Sequence, residues 1–168
     1  MALTVCQLPK YTKRMSVYER LGALNISMAP LLPPVASFVP FVRTGDLLFV
    51  SGHIARKSGR PWAGKVGEDI SLAEGVEAAR SVGIDIVNTL HAATEHLEKV
   101  QRIIKLVVLV NTGSHFTQQH LVANGASDLL KEVFGEKGSH ARTAFGVAQI
   151  PFGACVEADL IAEVSSTV

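Results

Sequence analysis

Between Ile103 and Val110 the chain reads Ile-Ile-Lys-Leu-Val-Val-Leu-Val, seven apolar side chains around a single lysine. Eight residues are far too few to cross a bilayer, which takes about 20. Branching at Cβ favours an extended backbone. Because both alternating sets of side chains are apolar, the run predicts a strand covered on both faces. A chain built around such a strand must supply a packing layer on each side of a sheet, or borrow one.

Two long helical patterns are available as cover. From about Ser71 to Leu97, Leu72, Val76, Ala79, Gly83, Ile86, Leu90, Ala93 and Leu97 recur at steps of four and three, with Glu77, Arg80, Asp85, Asn88 and Glu95 off the stripe. Ser71 and Glu74 have capping-box spacing. The small Ala79 and Gly83 predict close approach to a flat partner, naturally a sheet. A second helix is predicted from about Thr117 to Phe134, stopped at Gly135, where a left-handed cap suits glycine. Asn124-Gly125 lies inside it; a helical glycine costs about 1 kcal/mol relative to alanine. The pair therefore predicts close backbone packing, with Asn124 bonding to a neighbouring loop. A short helix is expected over Ser16–Leu24, where Ser16 and Glu19 form another capping box.

Phe41–Arg43 and Leu47–Val50 flank Thr44-Gly45-Asp46 as a hairpin, Lys57–Gly59 reads as a turn, and Gly64–Gly67 as a short strand. Arg142–Ile150 and Ala154–Val164 read as two final strands joined through Pro151-Phe152-Gly153. Pro30, Pro33, Pro34 and Pro40 rule out a long regular element before the first hairpin. Leu31, Leu32, Val35, Phe38 and Val39 make that stretch an arm lying on the domain, because they are too apolar to be left in water. The order β-β-β-α-β-α-β-β predicts an α+β fold, a mixed sheet with two main helices on one face. Residues 1–40 form a helix and arm packed on the domain, and 41–168 the domain itself. The second sheet face has no cover within the chain. Charged residues are 18% of the 168, against about 25% in an ordinary soluble domain. Both observations predict an oligomer.

A formal net charge of +1 gives no electrostatic reason to expect nucleic acid or an anionic membrane. Cys6 and Cys155 make no disulfide framework, and His91/His96 and His115/His120, each five apart, do not present a metal site. No secretory signal is evident, so a reduced, cytoplasmic setting is expected. Lys10, Lys13 and Arg14, with no acid before Glu19, leave a mitochondrial presequence as the alternative.

Arg142 opens a strand whose period-two neighbours Ala144, Gly146 and Ala148 are small, so its guanidinium has space in front of it. It is suited either to gripping a carboxylate with two parallel hydrogen bonds or to a salt bridge. Glu157 and Asp159 share one side of an otherwise apolar strand, either as a solvated face or as a functional one. A hairpin centred on Phe152-Gly153 places Glu163 opposite Arg142 as its ion-pair partner and Glu157 roughly 20 Å from Arg142 at ~3.3 Å per residue. One small-molecule site could then join Arg142 and Glu157 only across a subunit boundary.

Asn124–Leu130, Val133-Phe134-Gly135, His140–Ala148, Pro151 and Val156-Glu157 form a series that resembles the Rid/YjgF family of reactive-intermediate deaminases, also labelled endoribonuclease L-PSP. Val50-Ser51-Gly52-His53 and Gly64-Lys65-Val66-Gly67 resemble its YjgF/chorismate-mutase-like branch. The resemblance covers about residues 16–165. It implies a chorismate-mutase-like fold, a homotrimer with clefts between subunits, and hydrolysis of 2-imino and 2-enamino acids without metal or organic cofactor. By the same resemblance Arg142 holds the substrate carboxylate, Glu157 orients the attacking water, and Ser51 matches a site serine. Phe38 stands where the deaminases carry a tyrosine, His120 where they carry an asparagine, and His53 where glutamine is common. These departures leave two other readings beside the deaminase: a non-catalytic module binding small carboxylates or a partner protein, and a ribonuclease.

Overall fold

The computed structural model describes residues 15–31 and 33–165, so Leu32, Cys6 and the basic stretch with Lys10, Lys13 and Arg14 lie outside the described residues. In chain order the elements are α1 (Val17–Ala23), β1 (Phe41–Thr44), β2 (Leu47–Ile54), β3 (Arg56–Lys57), β4 (Arg60–Pro61), α2 (Leu72–Thr94), β5 (Val100–Asn111), α3 (Gln119–Val122), α4 (Asn124–Phe134), β6 (Ala141–Val147) and β7 (Val156–Val164). Five strands form one mixed sheet in the order β1-β2-β7-β5-β6, and β3-β4 is a separate two-stranded ribbon. The α+β class, the mixed sheet and the helices on one face are as the sequence predicts.

Local signals account for the helices. Ser16 and Ser71 each accept from the amide three residues on, while Glu19 and Glu74 accept from the cap amides. Glu95, at φ 62°, ends α2 in the left-handed region. The predicted 117–134 helix is two segments that meet at Ala123. A Cβ on Gly125 would run into the Val76 carbonyl of α2, so the helical glycine does mark close backbone packing. At Gly83 an added Cβ would lie 2.8 Å from Leu129, which places α4, not the sheet, against that part of α2. Two partners also explain why α2 buries a wider stripe than the predicted one, Ala78, Val82, Val87 and Thr89 included.

The β5 run holds the centre of the core. Leu106, Val108 and Val110 are fully buried on the helix face, together with Ala158, Leu160 and Ala162 of β7. Val107 and Leu109 on the opposite face are only half-buried. Phe49 is 40% exposed and Phe145 44%, and Val42 and Leu47 are also exposed. Register places Val42 beside Phe49 and Leu47 beside Thr44, all on the face that the helices leave open.

Three expectations fail. β6 and β7 are not a hairpin: β6 runs parallel to β5 at the sheet edge, and β7 lies antiparallel between β2 and β5. β7 buries every second residue and β6 buries none, which suits a central and an edge strand respectively. Glu163 therefore faces Leu47 and Arg102 instead of Arg142. Gly64–Gly67 is not a strand; Val66 makes isolated bridges to Ile70 and Thr112. The arm is fixed at both ends, by Ala29 N–H to Asn88 Oδ1 and by Ser51 N–H to the Pro40 carbonyl, yet Val35 (68%), Phe38 (45%) and Val39 (55%) face out. Among the described residues nothing covers them.

Candidate functional site

Arg142 lies on the helix face of the edge strand, level with Leu106, where α3 ends and α4 begins. Its Nη1 donates to Asn124 Oδ1 and Ser127 Oγ, both at 2.9 Å, and its Nη2 donates to the His120 carbonyl at 3.0 Å. All three acceptors are neutral. No described carboxylate forms an ion pair with Arg142. A guanidinium has five N–H groups, so Nε–H and one Nη2–H remain unengaged by the described residues, the number that a carboxylate takes. Beside the guanidinium is a hollow of about 270 Å3 lined by Ser127, Asp128, Lys131, Gly138, Ser139, His140 and Arg142. The side chain is thus oriented without being neutralised.

Asn124 and Ser127 are the residues that sequence reasoning missed at this site. Asn124 was expected to reach a loop, and it reaches a strand. Its signal is the Asn124-Gly125 pair: Gly125 draws α4 onto α2, and the asparagine just before it is carried over β6. His120 contributes its carbonyl, while its residue as a whole is exposed.

His140 backs the cluster. Its Nδ1 donates to the Gly138 carbonyl at 2.6 Å, which assigns the ring proton and leaves Nε2, 3.0 Å from Ser127 Oγ, as an acceptor. Burial holds the His140 pKa below the usual 6.5, and the Arg142 charge lowers it further against the opposing effect of the Gly138 bond.

Glu157 is on the open face of β7, beside Ile54 of β2. The β2–β7 register slips between Val50 and His53, a bulge carried by Ser51-Gly52. Glu157 Oε1 occupies the space that a Cβ on Gly52 would take, so the glycine lets the carboxyl lie on the bulge backbone. Burial raises the Glu157 pKa, and the Asp159 charge adds to the rise; Asp159 is itself raised by burial, against Lys105. The Ser51 hydroxyl donates to the Val39 carbonyl at 2.6 Å, tying the bulge to the end of the arm near exposed Phe38.

His53 does not join this group. Level with Ala158, it turns to the helix face, and its Nε2 lies 3.0 Å from Thr89 Oγ1 on α2. Thr89 spends its own proton on the Asp85 carbonyl, so His53 donates. Burial, with Arg56 nearby, lowers the His53 pKa to about 4.

The structure thus makes two clusters. Arg142, Asn124, Ser127, His140 and the His120 carbonyl form one on the helix face; Glu157, Ser51 and Gly52 form the other on the open face. Through β5, Arg142 and Glu157 are two strands apart and three residues out of step, about 14 Å at ~4.8 Å per strand and ~3.3 Å per residue. They do not share one site within a chain.

Among the described residues no group of three or more His, Cys, Asp or Glu side chains could hold a metal ion. Cys155 is buried, its thiol pushed up to about 11. His91 bonds the Tyr18 hydroxyl at 3.2 Å, and His96 caps the turn before β5. No described helix is long and apolar enough to cross a membrane.

Residues 18–164 match the family described as "YjgF/chorismate mutase-like, putative endoribonuclease". The chain is 41% identical over 152 residues to "Protein TCP17" of Trypanosoma cruzi, covering 89% of this chain and 95% of that one. Among solved structures, protein Atu1372 of Agrobacterium tumefaciens, described as of unknown function, is 40% identical with a TM-score of 0.81, over 89% of this chain and 93% of that one. A protein of Shewanella oneidensis described as a putative endoribonuclease is 26% identical with a TM-score of 0.85, over 89% and 100%.

Proposed function

The chain belongs to the YjgF/chorismate-mutase-like family, and from that premise we propose that it hydrolyses 2-imino and 2-enamino acids to 2-oxo acids and ammonia. The observation that carries this reading is Arg142, held by three neutral acceptors, unpaired with any described acid and bordered by a hollow. A carboxylate seated there gains a charge-assisted contact of about 1.5–3 kcal/mol. That is enough to orient a small acid.

Water addition to an imine conjugated to a carboxylate needs little more than a fixed substrate, a placed water and a proton donor. Glu157, with its pKa raised by burial, is the group proposed to place the water. Its distance from Arg142 within a chain is bridged in a homotrimer whose sites lie between subunits. The open sheet face and the arm, with Phe49, Phe145, Val35 and Phe38 exposed, support such an assembly, since apolar surface of this kind is what a subunit buries.

Ammonia release from 2-aminoacrylate generated in situ tests the reading. The wild-type protein accelerates release and Arg142→Ala does not; equal rates with and without the wild type reject it.

Phe38 favours a second reading, because its phenyl ring has no hydroxyl to donate. A non-catalytic carboxylate-binding trimer would bind 2-oxobutyrate or benzoate and turn over nothing. The ribonuclease reading is third: nothing in a net charge of +1 supplies the phosphate-binding face that it needs.

A further inference from the structure

The hydrogen bonds behind Arg142 form a directed chain. Arg142 Nη1–H donates to Ser127 Oγ, Ser127 O–H donates to His140 Nε2, and His140 Nδ1–H donates to the Gly138 carbonyl. Every donor along it is spent only while His140 is neutral. Were Nε2 to gain a proton it would become a donor to Ser127 Oγ, and the serine hydroxyl would turn its own hydrogen elsewhere. Ser127 and His140 both border the hollow beside Arg142, so that hydrogen would point to where a ligand sits.

The Arg142 charge disfavours a proton on His140. A carboxylate seated on the guanidinium offsets that charge and adds a negative one, so its arrival favours the imidazolium. The other charged groups around His140 are Asp128 and Lys131 on α4 and, on the turn that provides Gly138, Glu136 and Lys137. Lys137 is engaged with the Val100 carbonyl. These groups belong to the chain with and without a ligand, so the charge that binding adds is the ligand's own.

Resting on the proposal that a substrate carboxylate occupies Arg142, we propose that Ser127 and His140 form a substrate-triggered proton relay. Seating the carboxylate draws a proton from solvent onto His140 Nε2, and the Ser127 hydroxyl passes a proton into the hollow while taking one from His140. For a 2-enamino acid that proton goes to the enamine carbon, giving the iminium. Water then adds to the iminium carbon and its proton returns to the relay. The hydroxyl proton of this carbinolamine then passes through the relay to its amine, the C–N bond breaks with its electron pair on nitrogen as the C=O forms, and ammonia leaves the 2-oxo acid. Protons balance, and no oxidant, reductant or metal is needed. His140 acts through Ser127, as a positioned reservoir.

Calorimetry of 2-oxobutyrate binding near pH 6.5, in two buffers of different ionisation enthalpy, reads the coupling directly. The wild type takes up a measurable fraction of a proton per site, and His140→Gln binds without uptake; binding of the wild type with no uptake overturns the relay. An arm without ligand separates its failure from that of the carboxylate site. In the free protein, NMR titration shows the His140 pKa rising in Arg142→Gln, and an unmoved value overturns the coupling even if no acid binds. In turnover, His140→Gln lowers kcat by about 10²-fold with KM little changed, and it flattens the alkaline limb of the pH profile, where the wild type loses the His140 proton. Wild-type kcat in His140→Gln rejects the proton transfer.

Discussion

Replacing His53 by glutamine isolates the consequence of a histidine held neutral under α2. An unfolded histidine takes up a proton below about pH 6.5, whereas folded His53 does so only near pH 4. The contribution of its neutral form is complete above pH 6.5 and is lost as pH falls through the window down to about 4. At pH 4.5 the difference is about 2.5 kcal/mol at most, and about 2 kcal/mol once the partial exposure of the ring is discounted. Glutamine keeps an amide donor for Thr89 Oγ1 without titrating. Glu157, Asp159 and Asp85, whose pKa values are raised, act in the opposite sense, since they gain stability as pH falls, and they are common to both proteins. Urea unfolding at pH 7.5 and 4.5, at one fixed protein concentration, makes the comparison. The wild type loses about 2 kcal/mol more than His53→Gln between the two conditions. Equal losses would show that His53 is not a desolvated neutral group, and the inward turn of the β2 bulge would be wrong with it.

Gly125→Ala gains about 1 kcal/mol of helix propensity. It also drives a methyl into the Val76 carbonyl, which no rotamer can relieve; a net loss of roughly 2–3 kcal/mol is expected in urea unfolding. Gly52→Ala displaces the Glu157 carboxyl from the bulge, so turnover falls at least tenfold while 2-oxobutyrate binding and the melting temperature hold; unchanged turnover counts against Glu157. Phe49→Glu places a charge on the open sheet face. Analytical ultracentrifugation is expected to find the wild type trimeric and the variant dissociated, and a trimeric variant would move the interface elsewhere.

What was legible in the sequence was local. Capping boxes at Ser16 and Ser71, the glycine stop at Gly135 and the alternation of β7 are each set by neighbours a few residues away. Strand order is not. β6 and β7 are consecutive and joined by a short connection, which reads as a hairpin, but the alternating apolar side of β7 is buried best between β2 and β5. That choice depends on the whole sheet, and it removed Glu163 from Arg142. The face of His53 was hidden by one residue: strict alternation after Leu48 and Val50 sends it outward, and the bulge at Ser51-Gly52 sends it inward. The anchors of Arg142 needed the parallel β5–β6 pair, which brings α4 over the edge strand. The double apolar face of β5 reads as a strand covered on both sides; the chain itself buries Leu106, Val108 and Val110 on one side and leaves Val107 and Leu109 half-buried on the other.

A crystal structure with 2-oxobutyrate tests the role of Arg142 most directly. The carboxylate is expected at about 2.7–2.9 Å from Nε and Nη2, with the bonds to Asn124, Ser127 and the His120 carbonyl kept. An acid from a neighbouring subunit paired with Arg142, and the oxo acid absent or bound elsewhere, would contradict it.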